Sequence, residues 1–464
     1  MGRNVMLWEA LFNRKKYFCL APYEKSLGNA AEEIFLGLMV AKMTNRQLVI
    51  ISRKPGFFRR VIARFRKYRF TNAEMFDLDC PGVVLSRRDI VGYGFFSVFL
   101  DHLYIFFLVI KVIVYKVTRF DLFYNKMFSP VSVFEMPAFG QIEVYNPARQ
   151  KDFSWAADQS YGWEKYMAEQ YPLQLSEQKN KLAAELRVQM GLPADAPFVC
   201  LHVRDGGFHA EAGSFGAFRN SDIALCEQAV DLMISRGFRV VRLGDARMKP
   251  APFKRERFID YPFTPYKSEL LDLYLIRNCE LFIGTDSGPV EVGMLFQKKM
   301  LYLNLTNWPS SMPVRHGDLG LIKYYYSKSR KRFLSVRELL EEPCAINLHY
   351  HFPENEDVTD YIIFENTSAD IRSVVAETLD QGGTYVYNGL QDDFVTKRRA
   401  QGARLIATDP YFKSDHRECY RLAFRMRFMG TLGRDFLNRN WEYGDYLKEM
   451  TAAFQQAGKV PPCC

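Results

Sequence analysis

The feature that most limits how this chain can fold is an alternation of short apolar runs with amphipathic stretches between residues 198 and 305. Residues 198–203, 238–243, 281–284 and 300–305 read as buried strands. Residues 222–236, closed by Gly237, and 268–278 carry apolar side chains at helical spacing, and a further helix starts over 288–296. Strands separated by helices lie parallel, because a crossover is needed to bring each one back alongside the last. The chain opens in the same way. Residues 17–21 read as a strand, Ser26-Leu-Gly-Asn29 as a turn, 30–43 as a helix (Ile34, Leu38, Ala41) and 46–51 as a second strand. The expected class is α/β, with doubly wound sheets whose ligands bind beyond the carboxyl ends of the strands.

At 464 residues the chain is long enough for two to four domains of roughly 100–200 residues. The run Gly191-Leu-Pro-Ala-Asp-Ala-Pro197 is the clearest break, following a helical pattern over 176–190. We therefore expect domains at 1–190 and 191–350 and a mainly helical C-terminal extension at 351–464. Residues 310–350 read as a basic, Tyr-rich loop and a helix over 335–342. The extension shows a helix over 368–379 and an Arg-rich stretch at 397–440.

Charge is unevenly placed. The net charge is +9, yet residues 1–150 hold 22 Lys/Arg against 12 Asp/Glu, a net of +10, and the rest of the chain nets −1. A uniformly basic nucleic-acid binder is excluded, and no nucleic-acid partner is expected. Hydrophobic residues at 48% and charged residues at 25% exclude a disordered or coiled-coil chain. Residues 46–69 carry nine basic residues and no acidic one, with Phe58, Val61, Ile62 and Phe65 at helical spacings. This pattern is expected to lie on an anionic membrane surface. Residues 91–117 are apolar but interrupted by Asp101, His102, Lys111 and Lys116, so a buried or interface-lying helix is expected in place of a span. Nine scattered Cys without metal-ligand spacing point to a reducing compartment. The expected location is cytoplasmic, peripheral on the cytoplasmic face of an inner membrane.

Three loops follow strands where such a sheet builds its site. In Leu201-His-Val-Arg-Asp-Gly-Gly207, His202 and Arg204 alternate onto one face, and Arg204 suits a bidentate diphosphate contact. The loop beyond adds Asp205, His209, Arg219 and Asn220. Val241-Arg-Leu-Gly-Asp245 offers Arg242, Gly244 and Asp245, which either face the site or cap a turn. In Gly284-Thr-Asp-Ser-Gly-Pro-Val-Glu291 a strand runs into a helix. Amides at Ser287 and Gly288, with the hydroxyls of Thr285 and Ser287, suit an anion, while Asp286 sits between them. Glu291 in the first turn suits a ribose diol or simply the helix dipole.

At these loops the sequence resembles glycosyltransferases of the GT-B fold, in particular bacterial enzymes linked to surface polysaccharide. The resemblance spans most of residues 15–345. His202-Val-Arg204 is similar to the His-x-Arg motif of the fucosyltransferase superfamily, where the Arg binds the donor diphosphate. Ser26-Leu-Gly-Asn29 resembles the glycine loop of the acceptor domain there, and Asp286-Ser-Gly288 resembles the heptosyltransferase motif at the donor phosphate. Heptosyltransferases have a His three residues after that Gly, where this chain has Glu291. The resemblance implies two Rossmann-like domains facing across a cleft, with a C-terminal helical extension. It implies a nucleotide sugar as donor, bound at His202, Arg204, Arg242, Gly244, Asp245, Thr285, Asp286, Ser287, Gly288 and Glu291. It also implies a glycan or lipid-linked acceptor near Gly28 and Asn29, and neither metal nor other cofactor. Glu32, Asp205 and His209 are the candidate bases, and the choice among them stays open. A nucleotide-sugar epimerase of the same fold and a non-catalytic, membrane-associated glycan- or lipid-binding scaffold are the alternative readings.

Overall fold

The computed structural model describes residues 4–23, 26–53, 72–118, 144–145, 162–206, 217–306, 308–341, 360–381, 385–410, 412 and 416–460. The basic stretch expected as a membrane helix falls largely outside them, since 54–71 are not described, and so does His209.

The chain is a mixed α/β protein that divides into two compact units: Met1–Leu182 with Leu295–Gln297, and Ala183–Met294 with Lys298–Cys464. In the first unit the strands Gln47–Ile50, Tyr17–Leu20 and Val144–Tyr145 form a parallel sheet in that order. The helix Leu27–Met43 is the crossover between the first two. It begins earlier than the pattern suggested. Ser26 is its extended N-cap residue, so Gly28 and Asn29 lie in the first turn instead of a preceding loop. A parallel pair, Val5–Met6 with Ile90–Val91, leads into the helices Leu7–Phe12 and Tyr93–Thr118. Among the described residues no helix is long and apolar enough to cross a membrane.

The second unit is built on a seven-stranded parallel sheet. Its order is Thr431–Leu432, Leu319–Ile322, Met300–Leu305, Leu281–Thr285, Phe198–His202, Arg239–Arg242, Phe258–Asp260. Every residue of the strands Phe198–His202, Leu281–Thr285 and Met300–Leu305 is buried, as expected where helices cover both faces of a parallel sheet. The stretch expected as a Tyr-rich loop instead contains three strands. Leu319–Ile322 joins the large sheet, while Tyr324–Ser327 pairs antiparallel with Arg332–Phe333 and Tyr361–Phe364 in a small second sheet. Lys323 is the hinge residue between the two, and it disguised both strands by splitting one apolar run.

Residues beyond 351 are counted in the second unit, and Thr431–Leu432 forms an edge of its sheet. Their arginines work as carbonyl clamps. Arg398, fully buried on the helix Gly389–Thr408, donates to the carbonyls of Pro309 at 3.2 Å and of Phe428. Arg404 reaches the Leu340 carbonyl at 3.0 Å.

Candidate active site

The second unit's chain runs from Phe198–His202 outward through Arg239–Arg242 to Phe258–Asp260. It then crosses back and lays Leu281–Thr285 on the opposite side of Phe198–His202. The connections on either side leave in opposite directions, which makes the carboxyl ends of these two strands the switch point where doubly wound sheets bind ligands. His202 pairs in register with Gly284 at that rim. Arg204 and Asp286–Gly288 stand just beyond it.

Gly284 has a steric reason. A Cβ there would lie 2.4 Å from Val290 Cγ1, so only glycine lets the helix Gly288–Leu295 pack this closely on its strand. The first turn of that helix is thereby held at the switch point. Ser287 Oγ donates to the Thr285 carbonyl at 2.8 Å and closes the connecting turn. Thr285, fully buried, uses its Oγ1 to accept from the Arg204 N–H at 2.9 Å, and the Arg204 carbonyl accepts from the Ser221 N–H at 2.8 Å. The Arg204 backbone is thus fastened on both sides.

Its side chain is buried among like charges. Burial, then repulsion from Arg219, pull the Arg204 guanidinium down to about 10 against the attraction of Asp286. Lys323, only 4% exposed, donates from Nζ to the Asn220 carbonyl at 2.6 Å. Burial pulls Lys323 down to about 8, opposed by Glu365 and aided by Arg204. His202 is pulled down to about 3 by burial and by Arg242, Lys267 and Arg204, so it is neutral at pH 7. Among the described residues, four buried polar atoms around this cluster have no hydrogen-bond partner: His202 Nδ1, Arg219 Nε, Asn220 Oδ1 and Ser221 Oγ. Native interiors seldom leave such atoms unpaired.

The other expected residues have partners of their own within the fold or lie in the first unit. Arg242 is 1% exposed, and its Nη1 donates to the Lys249 carbonyl at 2.8 Å and to both Asp260 oxygens at 3.1 and 3.3 Å. It fastens a loop to its own strand end. Gly244 makes room for Met248, whose Sδ would lie 2.2 Å from a Cβ. Asp245 caps its own turn, accepting from the Arg247 N–H at 3.1 Å and pairing with Arg247 Nε at 2.5 Å. Glu291, expected at a ribose, is paired with Arg425 of the helix His416–Arg425 at 2.9 Å, and both side chains are nearly buried. Asp205 follows Arg204 and accepts from the Lys249 N–H at 2.8 Å. Glu32 is buried on the first unit's helix, 7% exposed.

Lys323, Glu365 and Arg425 were not singled out from the sequence. The available signal was weak: a lone Lys between two apolar runs, Leu319–Ile322 and Tyr324–Tyr326. Among the described residues no group of three or more His, Cys, Asp or Glu side chains gathers as a metal would require.

No protein-family model matches the chain, and no curated protein matches it by sequence. Solved structures do match. Heptosyltransferase II of E. coli, an ADP-heptose lipopolysaccharide enzyme, is similar over 62% of this chain and 84% of its own, at 16% identity and a TM-score of 0.31. A family 9 glycosyl transferase from Veillonella parvula is similar over 64% and 82%, at 12% identity and a TM-score of 0.33. POFUT1 in complex with GDP is similar over 63% and 99%, at 14% identity and a TM-score of 0.26.

Proposed function

We propose that the second unit binds a nucleoside diphosphate sugar at its switch point and that the protein transfers the sugar to a glycan or lipid-linked hydroxyl in surface polysaccharide synthesis. The observation that carries this reading is the cluster of Arg204, Arg219 and Lys323, with its four unpartnered buried polar atoms, beside the first turn of the helix Gly288–Leu295. Burying like charges together costs free energy, which Asp286 and Glu365 offset in part and a bound anion would offset further. A diphosphate supplies that anion, and the amides at Ser287 and Gly288 add donors of the kind helix N-termini offer to phosphate.

The chemistry follows from the charge. As the bond from the sugar's anomeric carbon to the diphosphate oxygen breaks, negative charge builds on the leaving group. In this reading Arg204, whose backbone is fastened on both sides, receives that charge, which is the larger part of the catalytic task. The acceptor oxygen forms the new bond, and its proton passes to a base. Asp205 is the candidate base that stands beside Arg204 among the described residues. In this reading arginine, lysine and helix amides do the charge work that other transferases assign to a metal ion, and no further cofactor takes part.

The test is a thermal-shift and calorimetric series with GDP, UDP, ADP and CMP. Saturating binding to the folded state alone, at about 100 times Kd, adds roughly 2.7 kcal/mol of stability. One nucleoside diphosphate should raise Tm in the wild type and not in Arg204→Ala. If none of the four shifts Tm, the donor-site reading is wrong.

A further inference from the structure

The first unit carries a surface that the donor site does not explain. Eleven large apolar side chains are exposed among the described residues, and seven of them come from two short stretches: Met6, Trp8, Phe12, Val91, Phe95, Phe99 and Phe106. This clustering has a structural origin. Val5 and Ile90 are register partners and both point into the core, so their neighbours Met6 and Val91, also partners, both face out. A helix leaves from each strand. Leu7–Phe12 turns Ala10 and Leu11 inward and leaves Trp8 and Phe12, four residues apart, on its outer face. Tyr93–Thr118 turns Tyr93, Phe96 and Leu100 into the same core and leaves Phe95, Phe99 and Phe106 outside, at spacings of four and seven. Phe95 is 82% exposed and Trp8 62%.

Water-facing aromatics in this number mark an interaction surface. The charges around it decide the partner. Arg14, Lys15 and Lys16 are exposed just beyond Asn13, and Arg88 is exposed two residues before the strand that carries Val91; Lys16 also pairs with Glu9 at 3.2 Å and Arg88 with Asp77 at 3.6 Å. Aromatic side chains that enter an acyl boundary, with Lys and Arg reaching the phosphates above it, are the chemistry of an anionic bilayer.

We propose that the outer faces of Leu7–Phe12 and of the first turns of Tyr93–Thr118, together with Met6 and Val91, insert into the interface of an anionic phospholipid bilayer. The contact lies on the membrane and does not cross it. It stands independently of the donor site and of the stretch at 46–69, which the sequence pattern alone singles out.

Vesicle flotation of the full chain tests this, using phosphatidylcholine alone and phosphatidylcholine with 30% phosphatidylglycerol (about the anionic fraction the charge argument needs). The wild type should float with the mixed vesicles and much less with the neutral ones. Removing one inserted aromatic should weaken partitioning about tenfold, so Trp8→Ser with Phe95→Ser should abolish flotation. Because both side chains are exposed, Tm and nucleotide binding should not change. A second readout needs no loss of function. Of the five tryptophans, Trp8 is exposed, Trp163, Trp308 and Trp441 are buried, and Trp155 lies outside the described residues; in a Trp155→Phe background mixed vesicles should shift tryptophan emission to the blue, and adding Trp8→Phe should remove the shift while keeping flotation. Unchanged flotation of the double variant, or an emission in the Trp155→Phe background that vesicles leave unmoved, overturns the proposal. So does a wild type that is dimeric without lipid and becomes monomeric in Trp8→Ser/Phe95→Ser, since a second copy would then own the surface.

Discussion

Arg204 and Arg242 stand at the ends of neighbouring strands, both buried, both in loops that suited a diphosphate on sequence grounds. The structure separates them by their company. Arg242 holds a carboxylate, Asp260, and a carbonyl of the Lys249 loop, with only its Nε unpartnered. Arg204 has a second arginine and a lysine as electrostatic neighbours, against one aspartate, Asp286. A buried cation paired within its own fold is a rivet. A buried cation set beside like charges as well as Asp286 is a candidate socket, with its backbone held through Thr285 and Ser221. Glu291–Arg425 belongs with the rivets, although its glutamate sits within the most ligand-like motif of the chain.

That division can be broken by exchanging the expected phenotypes. The largest effect should come from Arg425→Ala, which strands Glu291 as a nearly buried unpaired charge and should cost about 3–5 kcal/mol of stability. The urea midpoint should fall while the surviving folded fraction still binds nucleoside diphosphate. Arg425→Met with Glu291→Gln should recover much of the loss. If Glu291→Gln alone weakens nucleotide binding and leaves stability untouched, Glu291 is a ligand and not a rivet.

Arg204→Ala should do the reverse. Removing a preorganised cation from a developing charge costs roughly 100-fold or more. Nucleotide affinity or turnover should fall by that order, and Tm of the free protein should hold or rise, because a charge repelled by Arg219 has gone. Arg242→Ala should come next in size. Its loss frees Asp260 and the Lys249 carbonyl and should cost about 1–3 kcal/mol of stability, with nucleotide affinity unchanged. Equal losses of affinity in the two variants would erase the comparison.

The parts of this pattern legible in the sequence were those with short-range causes. Residues 198–202 and 281–285 are apolar runs followed by turns rich in glycine, so both strands and the place of Arg204 just past a strand end follow from local composition, while the switch point needed the strand order. What could not be read were pairings that the chain makes across long separations. Glu291 meets Arg425 134 residues away. Lys323 meets Asn220 103 residues away, and nothing near either announces the contact. Strand Leu319–Ile322 was missed because Lys323 and three tyrosines looked like a polar loop, when in fact the lysine is buried and the tyrosines line a small sheet. The partner of Arg242 was hidden for a related reason: Asp260 lies on a three-residue strand too short to show a period.

Lys323 sharpens the comparison most finely, because its charge can be removed by pH alone. Burial brings it to about 8 from an ordinary value of 10.5. Between those two values the unfolded chain carries a proton there that the folded protein has lost, so the free protein should gain stability as pH rises from about 8 to about 10.5. The bound anion needs the opposite state. Nucleoside diphosphate affinity should be highest below pH 8 and fall about tenfold as the ammonium is lost, the order expected for one charge-assisted hydrogen bond. A socket therefore shows stability and affinity moving in opposite directions over one pH interval, and a rivet shows neither. Lys323→Met should flatten both curves together. If it flattens the stability curve and leaves the affinity curve as steep as in the wild type, Lys323 belongs to the fold and Arg204 and Arg219 hold the anion without it.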